Sequence, residues 1–425
     1  MKIREYITFD DVAIVPGKAV IEPSDVDLTS KFSKNIEVYI PVVSSPMDTV
    51  TEWRLALALA RLGSIGVIHR NMSIENQVLN IKLVKSSPQS VWFEVLKARE
   101  EEPIESITFR MDEAGIGSAI LFSGSLVSGI IVKSGLDQDY WYSKASSLIS
   151  LLREYKPTPL LDEDGRLRVA AAISPFDERR VKALEEAGVD ALVVDVAHAH
   201  NVNVISSVAR IVKNTSVDVI VGNIGTKSAV LDYLSKADGI AGFRVGIGSG
   251  SICLTAEVTG AFAPTLTAVL EAREALEELG AHGKIPLIAD GGFRNVGDIA
   301  KALIAGASTA MTGRLLAGAE ETPGTKVRVG GKVYKQYRGM ASRGSIERRY
   351  AEDRYSKPSK GIEEGIEGLV PYRGSVISIV AELVAGLKAA LGYAGAWNIE
   401  SAWRGELARI TSAGREEAKP HDMII

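Results

Sequence analysis

Val217-Asp218-Val219-Ile220-Val221-Gly222-Asn223 is a short, mostly β-branched run with no polar alternation, as expected of a strand buried on both faces. An amphipathic stretch follows at 226–236. Gly239-Ile240-Ala241-Gly242-Phe243-Arg244-Val245 is then again nearly all apolar. Strand, helix and strand in that order make a parallel crossover unit, and the chain repeats it. Further strands are predicted at 40–45, 64–68, 168–173, 191–196, 286–290 and 309–312. Helices are predicted at 52–62, 176–187, 203–212, 266–279 and 296–305. Eight strands, each followed by a crossover helix, read as an α/β fold of the (β/α)8 TIM-barrel type. A doubly wound sheet is the runner-up. The barrel is preferred because polar and glycine-rich residues follow the strand ends throughout.

Composition narrows the function classes. With 49 basic and 53 acidic residues the formal charge is −4, which gives no electrostatic footprint for nucleic acid or an anionic membrane. One cysteine in 425 residues rules out an internal disulfide or a multi-cysteine metal site, and it suits a reducing cytoplasm. No signal peptide is recognisable after Met1, and no uncharged stretch reaches the roughly 18 residues of a membrane helix. The expectation is a soluble cytoplasmic protein.

Two stretches break the repeat. Residues 76–157, after the second strand, are too long for one crossover. They contain strand-like 118–122 and 126–132 and a helical-looking 143–155, so an inserted small α+β subdomain is expected there. Residues 1–75 and 158–425 would form the barrel. The second stretch, about 319–374, is rich in charge and glycine and is expected to be a mobile flap.

The lone cysteine, Cys253, follows Gly246-Ile247-Gly248-Ser249-Gly250-Ser251. Three glycines and two serines in six residues cannot pack a core. They can form a loop whose backbone amides favour an anion, and so a thiolate. A reactive thiol is the reading. Thr255, two residues on, can hydrogen-bond a reacting water or cap a turn. His198 and His200 lack a third ligand and are poor grounds for a metal site.

Several short runs, in this order and spacing, resemble the inosine-5′-monophosphate (IMP) dehydrogenase family and its guanosine-5′-monophosphate (GMP) reductase neighbours. They are Thr8-Phe9-Asp10-Asp11-Val12, Ser44-Ser45-Pro46-Met47-Asp48-Thr49, the Cys253 loop, Ile288-Ala289-Asp290-Gly291-Gly292, Tyr337-Arg338-Gly339-Met340, Asp353-Arg354-Tyr355 and Glu364-Gly365-Ile366-Glu367-Gly368. The resemblance implies NAD-dependent oxidation of IMP. The Cys253 thiolate attacks carbon 2, hydride leaves to nicotinamide, and water hydrolyses the thioimidate with Thr255 beside it. Arg354 and Tyr355 on the flap would activate that water.

The same resemblance distributes the binding roles. Phosphate falls to Ser251, Gly292, Gly313 and Arg314, the ribose hydroxyls to Asp290, and the base edge to Gly339, Met340 and Glu364. Ser45, Met47 and Tyr337 complete the nucleotide wall. Asp195, Asn223 and Gly246 would face NAD in the barrel mouth, since no Gly-x-Gly-x-x-Gly fingerprint is present. A potassium ion is implied on carbonyls of Gly248, Gly250 and Cys253, completed by Glu417 and Ala418 of a neighbouring subunit. That arrangement implies a homotetramer, or an octamer.

The insertion would correspond to reduced or divergent cystathionine-β-synthase (CBS)-like modules. Four positions depart from the family pattern: Arg314 for serine, Ala199 for glycine, and Ala256 and Thr265 for glutamine. GMP reductase, or a non-catalytic regulatory paralogue, remains the alternative.

Overall fold

The computed structural model describes residues 3–89, 96–113, 118–133, 140–144, 157–347 and 364–419. Eight parallel strands form one sheet: β1 Val42–Ser44, β2 Val67–Ile68, β3 Ala170–Ile173, β4 Ala191–Val194, β5 Asp218–Ile224, β6 Gly242–Val245, β7 Leu287–Asp290 and β8 Thr309–Thr312. Their spatial order is the chain order, with β8 paired to β1, and a parallel bridge from Ser44 to Gly66 closes the ring. The fold is a (β/α)8 barrel.

Period-two alternation sorts the strand side chains. Ala170, Ala172, Ala191, Val193, Ile220, Ile288 and Met311 pack inside the barrel, together with Phe32, Ile36 and Val38 of the N-terminal segment. Their neighbours Ala171, Ile173, Leu192 and Val194 face the outer helices. All of these are buried.

The helices are α1 Trp53–Leu62, α2 Ile74–Lys85, α3 Glu178–Glu186, α4 Val202–Asn214, α5 Lys227–Lys236, α6 Thr265–Glu278, α7 Val296–Ile304 and α8 Val376–Tyr393. Side-chain caps set several starts: Ser73, Asp177, Asn201, Thr226, Asn295 and Ser375 each accept from a backbone amide of the first turn. Helix α8 is long and apolar enough to span a membrane by length and composition. It carries Glu382 and Lys388, however, and packs against α1 and α7 as the barrel's last helix.

Two expectations change. Residues 76–85, expected in the insertion, lie in α2, which packs on α1, α3 and β2 as the crossover helix of the second unit. Farther on, Leu96–Arg99, Ser118–Ser123, Leu126–Lys133 and Tyr140–Lys144 form a four-stranded sheet accompanied by helix Ile104–Glu113. The predicted helix at 143–155 begins on the last two residues of that sheet, and 145–155 fall outside the described residues. Within the stretch 319–374, Lys326–Val329, Lys332–Arg338 and Glu367–Pro371 form a three-stranded antiparallel sheet. Arg354 and Tyr355 lie outside the described residues.

Candidate active site

A cavity of about 150 Å³ opens at the C-terminal ends of the barrel strands. This is the end where (β/α)8 barrels carry chemistry, because the loops there converge on one axis. Cys253 sits in its wall, half-buried, with its amide donating to the Gly250 carbonyl at 3.0 Å. The thiol lies 3.2 Å from Thr255 Oγ1, and that hydroxyl donates to Glu364 Oε2 at 3.0 Å. Glu364 is buried. A thiol, a hydroxyl and a carboxylate are thus connected in series.

The backbone fixes this series. Cys253 and Gly365 form an isolated antiparallel bridge: Leu254 N donates to Glu364 O at 2.8 Å, and Ile366 N donates to Ile252 O at 3.0 Å. Gly365 threads a gap in which a Cβ would stand 3.1 Å from Ser342 N and 3.3 Å from Ala341 C. Only a glycine fits there without moving main chain.

Asp290, ending β7, receives Asn223 Nδ2 at 2.7 Å and Arg244 Nε and Nη2, both at 2.8 Å. All three act on Oδ2, which leaves Oδ1 for a ligand. Arg244 also donates to Asp195 Oδ1 at 2.9 Å. Burial works against the guanidinium's charge, but the carboxylates of Asp290 and Asp195 outweigh it and raise its pKa. Asn223 Nδ2 further donates to Gly246 O at 2.9 Å, while its Oδ1 is buried without a hydrogen-bond partner.

The opposite wall is built by Ser45 and Met47 after β1, Gly313 and Arg314 after β8, and Tyr337, Gly339 and Met340 from the strand Lys332–Arg338 and its end. Gly313 is compressed between two of these side chains. A Cβ there would lie 2.6 Å from Met47 Sδ and 2.9 Å from Tyr337 Oη. Burial pushes the Tyr337 hydroxyl up to about 12 despite a hydrogen bond with Ser251, so it stays a neutral donor at ordinary pH. Ser251 and Gly292 complete the wall.

Every expected substrate residue therefore lines one cavity, together with Cys253, Thr255, Asn223 and Gly246. Asp195 does not. It is buried between Arg244 and Arg70, whose Nη2 donates to the Asp195 carbonyl at 3.1 Å and whose Nε stands 3.7 Å from Oδ2. The structure makes it a counter-ion, where the sequence suggested a cofactor-facing group.

Glu417 and Ala418 stand exposed at the end of helix Ser412–Glu417, which Arg415 holds to Asp10 and Asp11. Sequence reasoning did not single out Ser249 or Phe293, both of which reach the cavity. Thr265, one of the four departures, donates from its amide to Ser249 Oγ at 3.2 Å and from its hydroxyl to Asp290 O at 2.9 Å. Glycine spacing signalled the loop but not which serine would face inward.

A (β/α)8 barrel that gathers a half-buried cysteine, a hydroxyl–carboxylate pair and glycine-rich loops in a cavity at its C-terminal strand ends has the form of a barrel enzyme. Residues 6–421 match the model of the IMP dehydrogenase / GMP reductase domain, and the chain belongs to that family. It is 45% identical to the inosine-5′-monophosphate dehydrogenase of Korarchaeum cryptofilum, over 98% of this chain and 96% of that one. It is 40% identical to the Thermoplasma acidophilum enzyme of the same name, over 99% and 95%. The structure superposes on a cysteine-to-alanine variant of GMP reductase from Trypanosoma brucei in complex with guanosine 5′-monophosphate, with a TM-score of 0.78, at 32% identity and 99% coverage of each chain.

Proposed function

We propose that this chain oxidises IMP to xanthosine 5′-monophosphate with NAD, the oxidative step toward guanine nucleotides. The observation that carries the reading is the Cys253–Thr255–Glu364 series in the cavity wall at the C-terminal strand ends, in a chain whose near-full-length relatives bear the dehydrogenase name. The thiol proton passes through the Thr255 hydroxyl to the Glu364 carboxylate, and the Cys253 sulfur bonds to carbon 2 of the base. Glu364 releases that proton to solvent once hydride has left. A water then attacks the thioimidate, and one of its protons passes through the Thr255 hydroxyl to Glu364. The carbon 2–sulfur bond breaks, and the proton returns to the Cys253 thiolate. Arg354 and Tyr355 would supply a second route for the water's proton. Asp290 Oδ1 accepts from the ribose hydroxyls, with Oδ2 held by Asn223 and Arg244.

NAD, when bound, accepts the hydride. Asn223 and Gly246 would hold it, and the buried, unpartnered Asn223 Oδ1 fits a ligand hydroxyl or amide. Potassium fits the neutral carbonyls of Gly248, Gly250 and Cys253, a donor set suited to a monovalent cation. Glu417 and Ala418 of a neighbouring copy would complete the cage in a cytoplasmic homotetramer or octamer.

Absorbance at 340 nm with IMP, NAD and potassium, beside a Cys253→Ala control, tests the reading. A rise that the variant lacks supports it. GMP reduction is the second reading, favoured by the superposition on the trypanosomal reductase. A flat trace followed by a fall with GMP and NADPH would establish that alternative.

A further inference from the structure

Asp48 and Arg338 are buried, titratable and absent from the chemistry above. Arg338 Nε donates to Asp48 Oδ1 at 3.0 Å and Nη2 donates to Oδ2 at 2.8 Å, a two-pronged ion pair across 290 residues of chain. Such forks fix orientation as well as distance, because the guanidinium and carboxylate must be coplanar. Each partner adjoins cavity residues in the chain. Asp48 follows Met47, and Arg338 lies between Tyr337 and Gly339.

Three further bonds tighten the same junction. Asp48 N donates to Met340 Sδ at 3.3 Å, Arg338 N donates to Thr49 Oγ1 at 3.1 Å, and Asn71 Nδ2 donates to Asp48 Oδ2 at 2.9 Å. The Asn71 amide also donates to Ser345 Oγ at 3.0 Å, so the loops after β1 and β2 and the segment after Met340 meet at one carboxylate.

We propose that Asp48 and Arg338 are positioning residues that set the register of the nucleotide's Met47–Tyr337–Met340 wall. Neither touches the cavity itself. The Asp48 carboxylate fixes the loop after β1 relative to the strand that delivers Tyr337 and Met340, so the pair acts on nucleotide affinity and leaves the Cys253 series intact. This inference rests on reading the cavity as the nucleotide site.

The test compares wild type, Arg338→Lys, and the double variant Asp48→Leu/Arg338→Met. Lysine keeps the charge but loses the fork. The double variant leaves no uncompensated buried charge, so it keeps the fold while removing the register. Calorimetric titration with IMP and with GMP gives dissociation constants, and steady-state kinetics gives KM for IMP and NAD separately.

The expected result is a rise of at least about tenfold in nucleotide Kd and in KM for IMP for both variants. KM for NAD stays within about threefold, because the side-chain hydrogen bonds of Asn223 run to Gly246 and Asp290 and none to the Asp48–Arg338 junction. A double variant that folds and binds nucleotide as tightly as wild type would overturn the proposal, leaving the pair a purely stabilising contact. If the wild type binds GMP but does not oxidise IMP, the dehydrogenase reading fails while the Kd comparison with GMP still decides the positioning role.

Discussion

Thr255→Val removes one hydroxyl from the middle of the Cys253–Thr255–Glu364 series and keeps the side chain's shape. The hydroxyl stands 3.2 Å from the thiol and 3.0 Å from Glu364 Oε2. Its loss takes away a hydrogen bond to the Glu364 carboxylate, worth about 1.5–3 kcal/mol, or roughly 10- to 150-fold in rate where that bond is made in the transition state. Thr255 is the first residue of helix Thr255–Thr259 and does not cap it, so the melting temperature should stay within a few degrees of wild type.

Rapid mixing with IMP and NAD, followed at 340 nm, separates the steps. The NADH burst should slow, because the thiol proton loses its route through the Thr255 hydroxyl when the adduct forms. The steady-state rate after it should fall by roughly 10- to 150-fold, since hydrolysis loses a route for the water's proton. A steady-state rate within twofold of wild type would refute the role given to the hydroxyl.

Other perturbations have equally definite outcomes. Gly313→Ala places a Cβ 2.6 Å from Met47 Sδ and should raise KM for IMP by about tenfold or more; an unchanged KM would contradict that packing. Arg244→Met removes the cation that Asp195 and Asp290 share, leaving Asp195 with Arg70 alone, and should cost about 3–5 kcal/mol of unfolding free energy in a denaturant titration while weakening IMP binding. Burial pushes the Asp162 carboxyl up, but Lys85 Nζ at 2.9 Å and the Arg166 amide and guanidinium outweigh it and hold its pKa at about 2, down from 3.8. The resulting stability is complete above the unfolded value and is lost as pH falls through it toward about 2. The melting-temperature gap between wild type and Asp162→Asn should therefore shrink on acidification, and a gap that widens would reverse the sign.

The barrel strands were legible because parallel strands are apolar on both faces, which leaves continuous β-branched runs such as 217–223. Helix α2 was not legible, because its buried positions include Gln77 and Asn80. Gln77 Nε2 donates to the carbonyls of Ile68 and Ala172, so burial there is polar and blurs the helical period. Helix α8 hides for the opposite reason: it is apolar nearly all round and shows no stripe. The hairpin at Lys326–Val329 and Lys332–Arg338 carried a signal in Gly330-Gly331, a turn pair with positive φ at both residues, within an otherwise charged stretch.

At the site, residue type and spacing marked the wall but not the partnerships across it. Asp195 directly follows β4, and Asp290 is the last residue of β7. Only the placement of Arg70 and Arg244 makes the first a buried counter-ion and leaves the second on the cavity wall. The Asp48–Arg338 fork joins two residues from separate motifs, and no local pattern pairs them.

The most direct test of the central claim is mass analysis of the peptide containing Cys253 after acid quench during turnover with IMP and NAD. The expected result is one nucleotide bound covalently at Cys253, absent when NAD is omitted and absent from Cys253→Ala, which also fails to form NADH. Turnover with an unmodified Cys253, or NADH formation by the alanine variant, would contradict it.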